Sequence, residues 1–223
     1  MQVEKYKNIE YLFVDNNSDK SIIVFHGYGA NMQDLYGLHG MLSKEYNWYF
    51  PNGLHSLPYP GMQFARAWFS IDMQELEKAM SSGEYRKFAD KESEEFNQTQ
   101  VIVNDFCQHI KAKSKKLILG GFSQGAMLAS HLAGNVKPEA LLLFSGTLID
   151  KNALMQKLDG IKAIPFFQSH GKGDQVLEYS QAMDLFELLK LYKLSGEFVS
   201  FDGGHEIPMN VIEKAKEFIK NLN

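Results

Sequence analysis

The sequence predicts an α/β fold in which helices flank a mostly parallel central sheet. Short runs rich in β-branched and aromatic residues alternate along the chain with longer segments of helical period. Several of the short runs are almost entirely apolar, which is typical of strands that helices cover on both faces. Because 223 residues with 44% hydrophobic content can bury one substantial core, we expect a single domain over residues 1–223.

Strands are predicted where a short apolar run is bounded by turn residues. In chain order they cover 11–14, 21–26, 47–51, 116–121, 140–145, 164–170 and 196–201. Helices are predicted where apolar residues recur at spacings of three and four. They cover about 91–112, the segment after Gly125, about 179–193 and a C-terminal segment that begins at Pro208. The apolar stripe of the first helix consists of Phe96, Thr99, Val103, Phe106 and Ile110.

The composition excludes several classes of protein. A net charge of -4 and no long block of like charges argue against a nucleic-acid partner. The single cysteine, Cys107, excludes an internal disulfide and fits a reducing compartment, although periplasmic proteins can also lack disulfides. Its place beside an apolar helical stripe favours packing over a reactive thiol. No secretory signal is visible, and no apolar stretch approaches the roughly 18 residues that cross a bilayer. The sequence therefore predicts a soluble, cytoplasmic protein without an integral membrane segment.

One serine lies in a glycine-flanked turn between a predicted strand and a predicted helix. In GFSQG, Ser123 lies between Gly121 and Gly125, directly after an apolar strand and directly before a helical segment. This arrangement is typical of a nucleophile elbow, in which the glycines leave room for a sharp turn and the serine is presented to the pocket. The helix N-terminus also favours the oxyanion that forms when a serine attacks a carbonyl. The motif predicts that Ser123 is a nucleophile, although a capping serine in a tight turn is the alternative.

A serine nucleophile needs a base, and the base needs an acid that orients it. Asp174 follows the strand at 164–170, and His205 follows the strand at 196–201. Both lie after the carboxyl ends of strands, at the sheet edge where ligands bind. The order serine, acid, histidine is also the one expected for this type of sheet. We predict a triad of Ser123, Asp174 and His205, with Asp202 as a weaker rival for the acid.

A second oxyanion donor is predicted in the glycine-rich turn HGYGAN at 26–31. We assign the donors to the backbone N–H groups of Tyr28 and Gln124, the latter following the nucleophile. His26 and His170 each precede a glycine at a strand end, and we expect them to brace loops rather than bind metal. The other histidines show no spacing typical of zinc ligands, so no metal site is predicted.

The segment 52–90 fits the strand and helix alternation poorly, because it mixes prolines and glycines with aromatic residues. Connections this long are usually functional or disordered, so we predict a loop or lid. Its Met and aromatic side chains could form an apolar groove for an acyl chain, or a small core that pins the loop to the sheet. The predicted groove residues are Leu54, Leu57, Met62, Phe64, Trp68 and Phe69.

Five segments taken together resemble one known family. HGYGAN, AWFSID, GFSQGAMLA, HGKGDQV and GGHEIP occur in this order, and the resemblance covers nearly the whole chain. They are similar to the phospholipase/carboxylesterase family, which includes the acyl-protein thioesterases and small bacterial carboxylesterases. The resemblance implies an α/β-hydrolase fold without a large cap, and hydrolysis of esters or thioesters without a cofactor. The family usually has an aspartate directly after the Trp-Phe pair, where this sequence has Ser70 and places Asp72 two residues later.

The predicted function is hydrolysis of carboxylic esters or thioesters, with a small-molecule or lipid acyl ester as substrate. Within hydrolases, the alternatives are a lysophospholipase and a dienelactone-type or carbohydrate-ester hydrolase. A third alternative is a hydrolase fold that has become a non-catalytic binding module, which the complete set of Ser123, Asp174 and His205 argues against. An exposed apolar groove could equally serve a homodimer contact.

Overall fold

A computed structural model of the chain describes residues 2–57, 64–72, 88–159, 161 and 163–222. Within these ranges, eight strands form one sheet and two further strands form a short ribbon. The sheet strands are β1 Gln2–Tyr6, β2 Ile9–Val14, β3 Lys20–Phe25, β4 Asn47–Pro51, β7 Lys116–Phe122, β8 Ala140–Phe144, β9 Pro165–Gly171 and β10 Ser195–Phe201. The ribbon consists of β5 His55–Ser56 and β6 Arg66–Ala67.

The sheet is parallel over most of its width. Its strand order is β1-β2-β4-β3-β7-β8-β9-β10, with β1 and β2 antiparallel to their neighbours and every pair from β4 to β10 parallel. This confirms the predicted α/β architecture. Strand β1 was not predicted, because its QVEKY sequence is mostly polar, lies at an exposed edge and lacks the buried apolar run of a central strand.

Six helices in the described ranges cover the two faces of the sheet. They are α1 Leu38–Leu42, α2 Glu94–Lys111, α3 Gln124–Val136, α4 Lys151–Leu158, α5 Tyr179–Leu191 and α6 Met209–Lys220. The short helices α1 and α4 were not predicted, since neither is long enough to show a clear helical period. None of these helices is long and apolar enough to cross a membrane.

The central strands divide their side chains between two cores. Ile23 and Phe25 of β3 enter one core, whereas Ile22 and Val24 enter the other, because successive side chains of a strand point to opposite faces. The first core is covered by α2, α3, α4 and α5, and the second by α1 and α6. The predicted stripe of α2 is buried along its whole length, and so is Cys107, whose thiol pKa is raised by burial.

Candidate active site

Ser123 is the only residue between the end of β7 at Phe122 and the start of α3 at Gln124. Its backbone has φ 56° and ψ -120°, in the region of positive φ that non-glycine residues rarely adopt. Such conformations persist where the surrounding structure imposes them, and they cluster at active sites. The chain changes direction sharply at Ser123, which is the N-cap residue of α3.

The two flanking glycines allow the turn because neither position has space for a side chain. A Cβ atom on Gly125 would lie 2.1 Å from the carbonyl oxygen of Phe25 in β3. A Cβ atom on Gly121 would lie 2.3 Å from the carbonyl oxygen of Gly125. Helix α3 therefore packs against the end of β3 with direct backbone contact, which fixes the position of Ser123 relative to the sheet.

The three residues of the predicted triad lie in one hydrogen-bonded chain. The Oγ atom of Ser123 is 2.9 Å from Nε2 of His205, and Nδ1 of His205 is 2.7 Å from Oδ2 of Asp174. Ser123 follows β7, Asp174 follows β9 and His205 follows β10, so the carboxyl ends of three parallel strands supply the site. The arrangement suits a proton transfer from the serine to the imidazole, with the carboxylate orienting the ring.

Asp174 is buried, with 2% of its surface exposed, yet its surroundings keep it ionised. Burial is the largest influence and by itself raises its pKa, but the hydrogen bonds from His205 and from the Leu177 and Val176 amides outweigh it, and the net shift is downward. Both amides donate to Oδ1, at 2.9 Å from Leu177 and 2.8 Å from Val176. Oδ2 faces His205, and Nε2 of His170 lies 3.3 Å from the same oxygen.

The rival acid lies elsewhere. Asp202 is on the surface, where 91% of its side chain is exposed, and Lys172 Nζ lies 3.1 Å from its Oδ1. The loop that carries His205 is held from the other side by Ser145, whose Oγ donates to the carbonyl oxygen of Glu206 at 3.1 Å. Sequence reasoning missed Ser145, since a serine at a strand end gives no specific signal.

The two strand-end histidines brace the loops that surround the site. Nδ1 of His26 donates to the Gly27 carbonyl oxygen at 2.7 Å, and Nε2 accepts the Gly53 N–H at 2.9 Å. Burial lowers the pKa of His26 to about 4, so this ring is neutral. Nε2 of His170 lies 2.9 Å from the Leu177 carbonyl oxygen. In the described part of the chain, no group of His, Cys, Asp and Glu side chains is arranged to hold a metal ion.

The two predicted oxyanion donors lie on backbone segments next to Ser123. Gln124 is the first residue of α3, so its backbone N–H has no carbonyl partner within the helix. Gly27, which precedes Tyr28, runs so close to Ser123 that a Cβ atom there would lie 3.4 Å from the serine Cβ. Backbone hydrogen bonds from Gly29 to Arg66 and from Arg66 to Ala30 hold the turn in place.

The side chain of Gln124 has a second role, which the sequence did not indicate. Its Oε1 accepts the Trp68 backbone N–H at 2.8 Å, and its Nε2 donates to the Phe69 carbonyl oxygen at 2.8 Å. The Trp68 indole in turn donates to the carbonyl oxygen of His26 at 2.9 Å. Gln124 therefore fastens the segment at 68–69 to the turn of Ser123, and Trp68 fastens it to the predicted oxyanion turn at 26–31.

We expect the Gln124→Leu variant to lose about 2 to 4 kcal/mol of unfolding free energy, because two buried backbone groups of Trp68 and Phe69 would lose their partners. Urea denaturation of wild type and variant measures the loss. Gln98→Leu is the matched control, since Gln98 is exposed on α2 and its side chain hydrogen bonds to Glu94 within the same helix. A Gln124→Leu protein as stable as this control would contradict the clamping role.

Ser123 opens into a cavity of about 570 Å³ with a mainly apolar wall. The oxyanion turn, the elbow and His205 form its polar end. Its apolar lining consists of Phe69, Ile71, Phe88, Phe122, Met127, Val176 and Leu177. Met127 could have been predicted, because it lies one helical turn after Ser123 and so shares its face of α3.

The predicted groove residues do not lie together around one cavity. Phe69 lines the cavity, whereas Trp68 is fully buried beneath it. Leu54 packs against the core, Leu57 hydrogen bonds through its backbone N–H to Ala65, and Phe64 is 73% exposed. Met62 lies outside the described residues, and so does part of the predicted lid segment at 52–90.

The unusual Ser70 also has a defined place. Its backbone N–H and its Oγ both donate to the carboxylate of Glu95 on α2, at 2.6 and 3.0 Å. The same carboxylate lies 3.3 Å from Nδ1 of His55 in the ribbon. Asp72, two residues after Ser70, is exposed. Glu95 thus anchors the segment at 69–71, which contributes to the cavity wall, to helix α2.

Comparisons with known proteins agree with this architecture. Lysophospholipase-like protein 1 of Mus musculus is 30% identical over 127 residues, and the chain spans about half of its length, 53%. Acyl-protein thioesterase 1 of Candida albicans is 26% identical over 227 residues, which cover 93% of this chain and 94% of that protein. The crystal structure of Zea mays acyl-protein thioesterase 2 superposes with a TM-score of 0.73 at 24% identity, over 96% of this chain and 99% of the maize chain.

The fold shared with the maize structure is the α/β-hydrolase fold that the sequence resemblance implies. The profile of the phospholipase/carboxylesterase family matches residues 12–223, which include the elbow, the oxyanion turn and the loops of Asp174 and His205. This chain therefore belongs to the phospholipase/carboxylesterase family, a family of ester hydrolases.

Proposed function

We propose that this protein hydrolyses carboxylic esters or thioesters through an acyl-enzyme formed on Ser123. The observation that carries the proposal is the hydrogen-bonded chain of Ser123, His205 and Asp174 at the polar end of an apolar cavity. Function cannot be read from a fold alone, but a nucleophile, base, orienting acid and oxyanion donors in one place form a complete site.

In the acylation step, His205 Nε2 takes the proton of Ser123 Oγ as the oxygen attacks the carbonyl carbon of the substrate. The carbonyl electrons move to the oxygen, and the Tyr28 and Gln124 amides stabilise the resulting oxyanion. When the carbonyl re-forms, the bond to the leaving oxygen or sulfur breaks, and His205 Nε2 delivers its proton to that atom. The products are the free alcohol or thiol and an ester on Ser123.

Deacylation repeats the sequence with water as the nucleophile. His205 takes a proton from water, the water oxygen bonds to the acyl carbon, and the same amides stabilise the second oxyanion. The bond from the acyl carbon to Ser123 Oγ then breaks, and His205 returns the proton to the serine. Asp174, ionised and hydrogen bonded to Nδ1, stabilises the imidazolium in both steps.

The apolar wall of the cavity supports an acyl chain as the group that is held during the reaction. The names of two relatives fit this assignment, since one is a lysophospholipase-like protein and the other an acyl-protein thioesterase. Lysophospholipids and acylated thiols share the acyl half and differ in the leaving group. A lysophospholipase would therefore differ from a thioesterase in how it binds the leaving group, and the acyl half would be bound in the same way.

Hydrolysis of p-nitrophenyl esters from acetate to palmitate tests the proposal. We expect turnover with an optimum acyl length, because an apolar cavity of about 570 Å³ accommodates acyl chains of limited length. Assays with acyl thioesters and with lysophosphatidylcholine are run in parallel. Together with the p-nitrophenyl esters, they compare a thiol, a lysophospholipid alcohol and p-nitrophenol as leaving groups at equal acyl length. A folded protein that hydrolyses none of these substrates would contradict the proposed function.

A further inference from the structure

A second, smaller cavity adjoins the cavity of Ser123. Its volume is about 300 Å³, and it shares Asp34 and Phe122 with the larger one. The rest of its described lining is uncharged and mostly apolar, and consists of Leu35, Gly37, Leu38, Met41, Ile207 and Ile212. The two cavities therefore meet beside Phe122, the residue directly before the nucleophile.

The smaller cavity lies next to the loop that carries His205, and His205 itself lines the adjoining larger cavity. Ile207 comes two residues after His205, and the ring of Phe122 is 4.8 Å from the imidazole, centroid to centroid. Because the imidazole must protonate the leaving atom, the leaving group has to lie on the histidine side of the reacting carbonyl. The larger cavity, with the oxyanion turn, Met127 and Leu177, is then left for the acyl chain.

Asp34 gives the junction of the two cavities a negative charge. It is the only carboxylate residue in the described lining of either cavity, and no described residue forms an ion pair or side-chain hydrogen bond with it. The residue is exposed, but neighbouring atoms remove part of its hydration, and this desolvation raises its pKa. A carboxylate that is partly desolvated and has no partner among the described residues is suited to pair with a cation from a ligand.

We propose that the smaller cavity is a leaving-group subsite that selects an alcohol or thiol carrying a cationic group next to an apolar portion. Asp34 is the specificity-determining residue, and Leu38, Met41 and Ile207 contact the apolar portion. The inference rests on the proposed function and extends it from the acyl half of the substrate to the leaving half. It assigns the two cavities to the two sides of the bond that is cleaved.

Two thioesters that differ only in charge test the inference. Butyrylthiocholine carries a trimethylammonium group, and the butyryl thioester of 3,3-dimethylbutanethiol replaces it with a neutral group of the same shape. We expect the wild type to prefer the cationic thioester in kcat/KM by about three- to tenfold, the effect of one partly exposed ion pair. The preference should fall as salt is added, because exposed charges are screened.

Three variants make the result specific. Asp34→Asn should bring the kcat/KM ratio of the two thioesters to about one, Asp34→Lys should bring it below one, and Asp34→Glu should keep the cationic preference. Asp19→Asn is the matched control, since it removes a surface carboxylate that precedes β3, at the opposite edge of the sheet from Ser123. It should leave the ratio at its wild-type value.

The outcomes separate this inference from the proposed function. If the wild type hydrolyses p-nitrophenyl butyrate but the thioester ratio is the same in wild type and Asp34→Asn, the leaving-group subsite is wrong and the hydrolase proposal stands. A change in acyl-length optimum in Asp34→Asn, with an unchanged ratio, would assign the smaller cavity to the acyl chain and overturn the inference. Absence of all hydrolysis by the folded wild type would overturn both.

Discussion

Replacing Ser123 with alanine is expected to lower kcat for ester hydrolysis by about 10⁴- to 10⁶-fold. The variant keeps the oxyanion amides, His205 and the cavity, but it has no oxygen that can form the acyl-enzyme. Any remaining rate would come from substrate binding and the oxyanion donors acting on water. Initial rates with a p-nitrophenyl ester, taken at saturating and at low substrate, measure kcat and kcat/KM separately.

Folding of the Ser123→Ala protein should be preserved. Alanine and serine have similar costs at the positive φ of this position, and the lost hydrogen bond to His205 is partly exposed. Ser114→Ala is the matched control, since Ser114 lies just before β7 at the opposite edge of the sheet and hydrogen bonds to Ser21. Full activity in Ser123→Ala would show that the elbow serine is not the nucleophile.

The second large effect is expected for Asp174→Asn, which should lower kcat by about 10⁴-fold. Two backbone amides, of Val176 and Leu177, donate to Oδ1, so an asparagine would keep its oxygen there and turn its NH₂ group toward His205. An N–H donor facing Nδ1 requires that nitrogen to be the unprotonated one. The proton would then be on Nε2, and the ring could no longer accept the proton of Ser123.

This loss should appear without a comparable loss of stability, because the two bonds to the backbone amides survive in Asp174→Asn. Thermal unfolding of wild type and variant checks that the fold is retained. Asp202→Asn is the control for the choice of acid, since Asp202 is exposed and paired with Lys172. If Asp202→Asn lost activity and Asp174→Asn kept it, the assignment of the acid would be reversed.

The features that could be predicted from the sequence are those that a short stretch of sequence determines by itself. The buried strands were predictable because β3, β7 and β8 are covered on both faces and consist almost wholly of apolar residues. The positions of Ser123, Asp174 and His205 followed from the carboxyl ends of parallel strands meeting at one edge. Each of these inferences uses chain order and period alone.

The cavity wall was less predictable because it is assembled from distant segments. Its described residues include parts of the oxyanion turn, the segment at 69–71, Phe88, the start of α3, the loop after Asp174 and the loop of His205. The aromatic content of 54–69 indicated a groove, but burial of Trp68 against His26 and Phe25 and outward placement of Phe64 depend on tertiary packing. The homodimer contact and the single-domain organisation stay predictions.

The central claim, that Ser123 is an activated nucleophile, is tested most directly by covalent labelling with a fluorophosphonate, followed by peptide mass spectrometry. We expect one label per chain on the peptide that contains Ser123, no label in Ser123→Ala, and much slower labelling in His205→Ala. A folded wild-type protein that takes no label, or takes it on another serine, would contradict the account.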